Sequence, residues 1–183
     1  VIDENVPSVR TLPAGDRSEL GGLVQIFLAE KRFEGCGGLV VTPEMKATIA
    51  AQACLLLLRR DAEVYPGLSS ILLYPHSYVA IDRVVEGGIV TESEVVRLGE
   101  TWSRGSLVLS WDDVRKGAAD PHDGHNVVLH EFAHQLDQQD GASDGTPPLS
   151  ARSRYAAWAR VLGAAYDDLL GRIAGLAPLR LAG

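Results

Sequence analysis

Residues 126–141 read NVVLHEFAHQLDQQDG, and this stretch decides how the rest of the chain is read. Its pattern predicts a helix from about Gly124 to Gln139, with Phe132, Ala133 and Leu136 as apolar flanks and His130 and His134 on the polar side. Residues four apart on a helix lie one above the other, so both imidazoles can reach one metal ion. Glu131 sits one residue round from His130 and is not placed to coordinate with it. It is placed instead to take a proton from a zinc-bound water, whose pKa falls to about 7, and to deliver it to a leaving amine. Histidines and glutamate in an HExxH pattern therefore point to zinc-dependent hydrolysis of peptide bonds, with His130 and His134 as ligands and Glu131 as general base.

Two further groups in the stretch bear on this chemistry. Asp137, one turn after His134, is read either as a carboxylate that orients the His134 ring or as a solvated acid at the helix end. His125 would stand about 140° from His130 round the helix, which is poorly placed for the same ion. We assign His125, His122 and His76 surface or packing roles.

With 183 residues, 46% hydrophobic and 22% charged, the chain has the makeup of one globular domain, taken as 1–183. The net charge of −7 and the lack of a basic block disfavour nucleic acid as a ligand. The longest apolar burst, IAAQACLLLL from Ile49 to Leu58, is too short to span a membrane. Cys36 and Cys54 form no CxxC pattern and are read as reduced thiols, and no secretory leader opens the chain, so a cytoplasmic location is expected.

Outward from the motif, residues 1–15 read as an irregular lead-in to a helix capped by the pair Asp16 and Glu19 and running to Arg32. A second helix has Thr42 as N-cap and Pro43 at its first position. A strand in SSILLYPHSYVAI is interrupted or turned at Pro75, a hairpin or a loop-and-strand piece spans Gly87-Gly88, and another strand covers Ser106 to Trp111. RKGAADPHDGHN reads as a polar loop from which Asp123 or a neighbour caps the motif helix. A last helix runs from Arg152 to Ile173, with Tyr155, Trp158, Val161, Leu162, Ala165 and Leu169 on its apolar face.

The segments VQIFLAEKRFEGCGGLVVT, IAAQACLLLL, YPGLSSILLYP, LSWDDVRKGAADPHDGHNVVLHEFAHQLDQQDG and YAAWARV closely resemble the Mlc titration factor A family of bacterial zinc-dependent peptidases, from about Leu20 to Val161. That family is similar in its catalytic domain to the anthrax lethal factor metalloprotease, which shares the HEFxHxxD shape of His130 to Asp137. The resemblance implies an α+β, zincin-like metallopeptidase domain with N-terminal helices, a small mixed sheet and an HExxH active-site helix. It also implies a Zn2+ cofactor, aminopeptidase-like activity on peptides, and a regulatory link to a repressor of the Mlc type. By analogy with zincins, GSLVLSW is expected to supply the edge strand for an extended peptide, with Leu107, Val108 and Leu109 as candidate contacts.

In one respect the chain departs from the family it resembles, where the third zinc ligand is a glutamate on a downstream helix. No glutamate follows Glu131 here. Three explanations stand at this point: an incomplete chain, since it opens on Val1 rather than methionine; an aspartate substitute, Asp167 or Asp168; or a two-histidine site that holds metal weakly.

Overall fold

A computed structural model describes residues 1–60, 63–86, 89–97, 99–102, 105–141, 145–149, 151–173 and 175. The first helices are α1 (Ile2–Asn5), a 3-10 turn at Pro7–Thr11, and α2 (Ala14–Glu30). Residues 1–15 are thus more ordered than their Pro and Gly content suggested, and Val6 and Val9 are buried among the core side chains. The expected capping pair on α2 does not form, because the helix begins earlier, at Ala14 after Pro13. Asp16 and Glu19 turn instead to Arg59, whose guanidinium donates to Asp16 Oδ2 at 2.7 Å and whose backbone N–H donates to Glu19 Oε1 at 2.9 Å. The two acids thereby tie α2 to the chain just beyond the next helix. Along α2, Leu20, Val24 and Phe27 recur at helical spacing, and these three are its buried residues.

The second long helix, α3 (Pro43–Leu55), starts as expected: the Thr42 hydroxyl accepts from the Met45 N–H at 3.2 Å. Every residue from Thr48 to Cys54 is buried, so this part of α3 is enclosed on all sides and forms the centre around which the other elements pack. Strand β1 (Arg32–Gly35) precedes it and β2 (Ser70–Tyr74) follows, paired in parallel, as the helical crossover allows. β1 was not legible in the sequence, since RFEG holds a single apolar residue. Its place comes from pairing, with Arg32 N–H donating to Ser69 O at 3.0 Å and Cys36 N–H to Leu73 O at 2.9 Å.

After β2 the chain turns and forms β3 (Tyr78–Glu86) and β4 (Ile89–Arg97), paired antiparallel, which is the hairpin of the two expected alternatives; Gly87-Gly88 itself lies outside the described residues. It then returns to the main sheet as β5 (Gly99–Trp102) and β6 (Ser106–Ser110). The four-stranded sheet has the order β1-β2-β6-β5, with β1, β2 and β6 parallel and β5 antiparallel to β6. This corrects the expected edge: β6 pairs with β2 on one side and β5 on the other, and Leu107, Val108 and Leu109 are buried. With both rows of backbone groups already paired, those residues have no free edge to offer a peptide. Among the described strands the free edge on that side is β5, Gly99–Trp102. A short apolar run reads the same whether its strand is internal or at an edge, so only the pairing could decide.

A further element was missed. Ser110, the last residue of β6, caps α4 (Trp111–Ala119) directly by accepting from the Asp113 N–H at 3.4 Å, leaving no turn to mark the change. Next comes α5 (Val127–Asp137), continued by a 3-10 turn at Gln138–Asp140; it is shorter than the expected 124–139. The last helix, α6 (Arg152–Ile173), has the expected bounds, but its apolar face is not buried: none of its residues is.

An aromatic cluster locks α5 onto the core. Phe132 packs against Tyr65 at 4.8 Å between ring centroids and against Phe27 at 5.7 Å, and Tyr65 meets Phe27 edge-on at 6.2 Å. Tyr65 takes a left-handed backbone, φ 48°, which is costly for a residue with a side chain. Its ring is buried and its hydroxyl donates to Ala53 O at 2.6 Å, so packing and hydrogen bonding together hold it there.

Phe132→Ala should lower unfolding free energy by about 3–5 kcal/mol in urea titrations, because the fully buried ring leaves a cavity between α2, α5 and Tyr65. Tyr166→Ala, on the exposed face of α6, should stay within about 0.5 kcal/mol of the parent.

Candidate metal centre

The start of α5 is set by one side chain. Asn126 Oδ1 accepts from the Leu129 N–H at 2.9 Å, which makes Asn126 rather than Asp123 the N-cap. Its amide donates to Gln52 Oε1 on α3 and to Gly117 O on α4, each at 2.8 Å. Gln52, itself buried, donates in turn to Thr48 O at 3.2 Å. The close approach of α4 requires a glycine at 117: a Cβ there would stand 2.8 Å from both Asn126 Cα and His125 O. Asn126, Gln52 and Gly117 were all missed in the sequence. The one local signal was an Asn immediately before the apolar run, a favourable N-cap residue.

From that fixed start, α5 presents His130 and His134 to solvent with their Nε2 atoms 3.2 Å apart and rings nearly perpendicular, at 89°. This spacing serves either an N–H···N bond between neutral rings or joint ligation of one ion. For tetrahedral zinc with Zn–N of about 2.0–2.1 Å, two ligating nitrogens stand about 3.3–3.4 Å apart. The pair therefore fits two ligands of one metal. Glu131, next along the helix, is buried, at 7% exposure, beside these exposed imidazoles.

Asp137 is also buried, at 8% exposure, rather than solvated. No hydrogen bond joins it to His134 among the described residues, and its Oδ1 has no partner among them. His134 Nε2 faces His130, while Asp137 lies one turn on, against the protein.

Among the described residues, no three His, Cys, Asp or Glu side chains group so as to hold a metal. Asp167 and Asp168 lie on the exposed surface of α6, and Asp168 pairs with Arg172 at 2.8 Å, so neither completes a set with the histidines. His122 and His125 are exposed in the loop before α5. His76 Nδ1 lies 2.6 Å from Asp112 Oδ2 at the root of the hairpin, and this contact, above all, holds the Asp112 carboxyl below its usual 3.8. Both cysteines are free thiols: Cys36 is half-buried, while burial pushes the Cys54 thiol up to about 12. Beyond α5, β5 lies alongside the helix.

The family model described as glucose-regulated metallo-peptidase M90 matches residues 1–179. An uncharacterized protein of Synechocystis sp. is 39% identical over 175 residues, covering 94% of this chain and 64% of that protein. Mlc titration factor A of Yersinia pestis and of Yersinia pseudotuberculosis are each 33% identical over 173 residues, covering 92% of this chain and 62% of theirs. The chain thus spans a little under two thirds of the length of these curated relatives.

Asn126→Ala should cost about 2–4 kcal/mol in chemical denaturation, since it removes an N-cap and leaves the Gln52 and Gly117 oxygens without their donor. In native protein at pH 8, a thiol-reactive dye should titrate Cys36 alone, with Cys54 reacting only after unfolding. Acid titration should show the Asp112 contribution too. Because its folded pKa lies below 3.8, the stabilisation is present above that value and is lost as pH falls through the folded pKa. Asp112→Asn should flatten that limb of the stability curve.

Proposed function

Because the chain belongs to the glucose-regulated metallo-peptidase M90 family, we propose that it is a zinc-dependent, zincin-type peptidase acting on peptide bonds in the cytoplasm. The observation that carries this reading is the 3.2 Å convergence of His130 Nε2 and His134 Nε2 beside a buried glutamate. His130 and His134 would hold the ion as two nitrogen ligands. When bound, zinc supplies Lewis acidity, polarising an amide carbonyl and lowering the pKa of water.

The chain's own part is proton transfer and positioning. Glu131 takes a proton from the attacking water and passes it to the departing amine nitrogen, which restores the carboxylate for the next turnover. An extended peptide, aminopeptidase substrates included, is placed along the free edge of β5 next to α5, where backbone N–H and C=O groups can add a strand. Asp137, buried on the turn after His134, is a positioning residue in this reading: its unpartnered Oδ1 can accept from the His134 ring when that ring turns to bind metal.

A second reading rests on the relatives named Mlc titration factor A. On it, the chain captures a repressor of the Mlc type through its surface, and hydrolysis is secondary. The two readings separate in a single variant, because capture does not need Glu131.

Glu131→Gln should leave metal content by elemental analysis unchanged while cutting hydrolysis of fluorogenic peptides by about 10²–10⁴. His134→Ala should lose metal and activity together. Turnover unchanged in the glutamine variant would sink the role given to Glu131, and retained repressor binding by that variant alongside lost hydrolysis would separate capture from catalysis.

A further inference from the structure

On the α3 and α4 side of His130 lies a cleft of about 560 Å³. Leu55 of α3 and Leu56 just after it line it, as do Leu129 and Ala133 of α5, with His130 itself part of the wall. The lining positions on α5 follow one another at three- and four-residue steps, 126, 129, 130 and 133, so the cleft runs directly alongside the histidine row. Its volume lies in the range of small-ligand sites, about 300–1,000 Å³. Two exposed carboxylates, Asp120 and Asp123, complete it.

The charges decide what fits. Asp120 Oδ1 accepts from the His122 N–H at 2.9 Å and Asp123 Oδ1 from the His125 N–H at 2.8 Å. Those bonds hold each carboxylate in place while leaving its second oxygen open. Among the described residues no lysine or arginine pairs with either aspartate, whereas Asp112, Asp113 and Asp168 each have such a partner. A cleft lined by these apolar side chains and by two such carboxylates suits a side chain with an aliphatic stem and a terminal cation.

We propose that this cleft receives a lysine or arginine side chain of the peptide beside the bond to be cleaved, its stem against Leu56, Leu129 and Ala133 and its cation at Asp120 and Asp123. This rests on the peptidase reading above, and it makes the protein selective for basic residues. Norleucine, which matches the lysine stem without the charge, is the discriminating comparison.

Two measurements test the proposal. In the first, Nα-acetyl-lysine methylamide and its norleucine counterpart are titrated into the Glu131→Gln protein, with backbone amide shifts as the readout. Lysine should bind about tenfold tighter, with the largest shifts around Asp123, Leu129 and Ala133. In the second, kcat/KM is compared for peptide pairs differing only in lysine against norleucine. Asp120→Asn and Asp123→Asn each keep a side-chain oxygen for the backbone bond and remove the charge. Each should reduce the lysine preference, by up to about fivefold for an exposed pair, and together they should bring it near one.

Equal binding of the two probes, shifts located elsewhere, or a preference that survives both asparagines would overturn the proposal. Lysine-selective binding with no cleavage of any peptide would leave the cleft standing and defeat the peptidase reading. Hydrolysis without basic preference would do the reverse.

Discussion

Asn126 is the constraint from which the site is built. Its carbonyl oxygen caps α5, and its two amide hydrogens reach α3 at Gln52 and α4 at Gly117. All of the hydrogens on that amide are therefore committed, and each goes to a different helix. A helix whose first turn is fixed in this way has its later residues fixed as well, since each position follows from the last by a rise of 1.5 Å and a turn of about 100°. Where the His130–His134 pair stands relative to α3 and α4 is therefore decided at Asn126 and at the close contact allowed by Gly117, while their 3.2 Å meeting follows from the four-residue spacing.

Packing completes what the cap begins. Phe132, two residues after His130, is buried between Phe27 and Tyr65, so α5 cannot roll about its axis without pulling an aromatic ring from the core. The same rotation that buries Phe132 turns His130 and His134 outward and leaves Glu131 and Asp137 buried. Two exposed imidazoles thus stand beside two buried carboxyl groups on one helix. Beside this helix β5 is the outer strand of the sheet among the described residues, and the cleft toward α3 and α4 is lined by apolar side chains and two carboxylates.

Some of this architecture was legible because its signals are local. The HExxH pattern, Thr42 with Pro43 opening α3, the pairing of β3 with β4 and the bounds of α6 all depend on residues a few positions apart. Other features were misread for equally physical reasons. Asp16 and Glu19 resemble a capping pair but serve Arg59, 43 and 40 residues away, and the apolar run of β6 does not reveal that both of its edges are paired. Strand β1 has little propensity of its own, and α4 begins on the last residue of a strand with no turn between them.

By itself, then, the sequence determined the layout of the motif: two histidines on one helical face with a glutamate beside them, which periodicity alone puts in place. Only the tertiary structure decided which residue starts that helix, which strand is the free edge, that Glu131 and Asp137 are buried, and that a carboxylate-rimmed cleft adjoins His130. These depend on partners far along the chain. Gln52 and Asn126 are separated by 74 residues yet meet at 2.8 Å, and nothing in the neighbourhood of either residue announces the other.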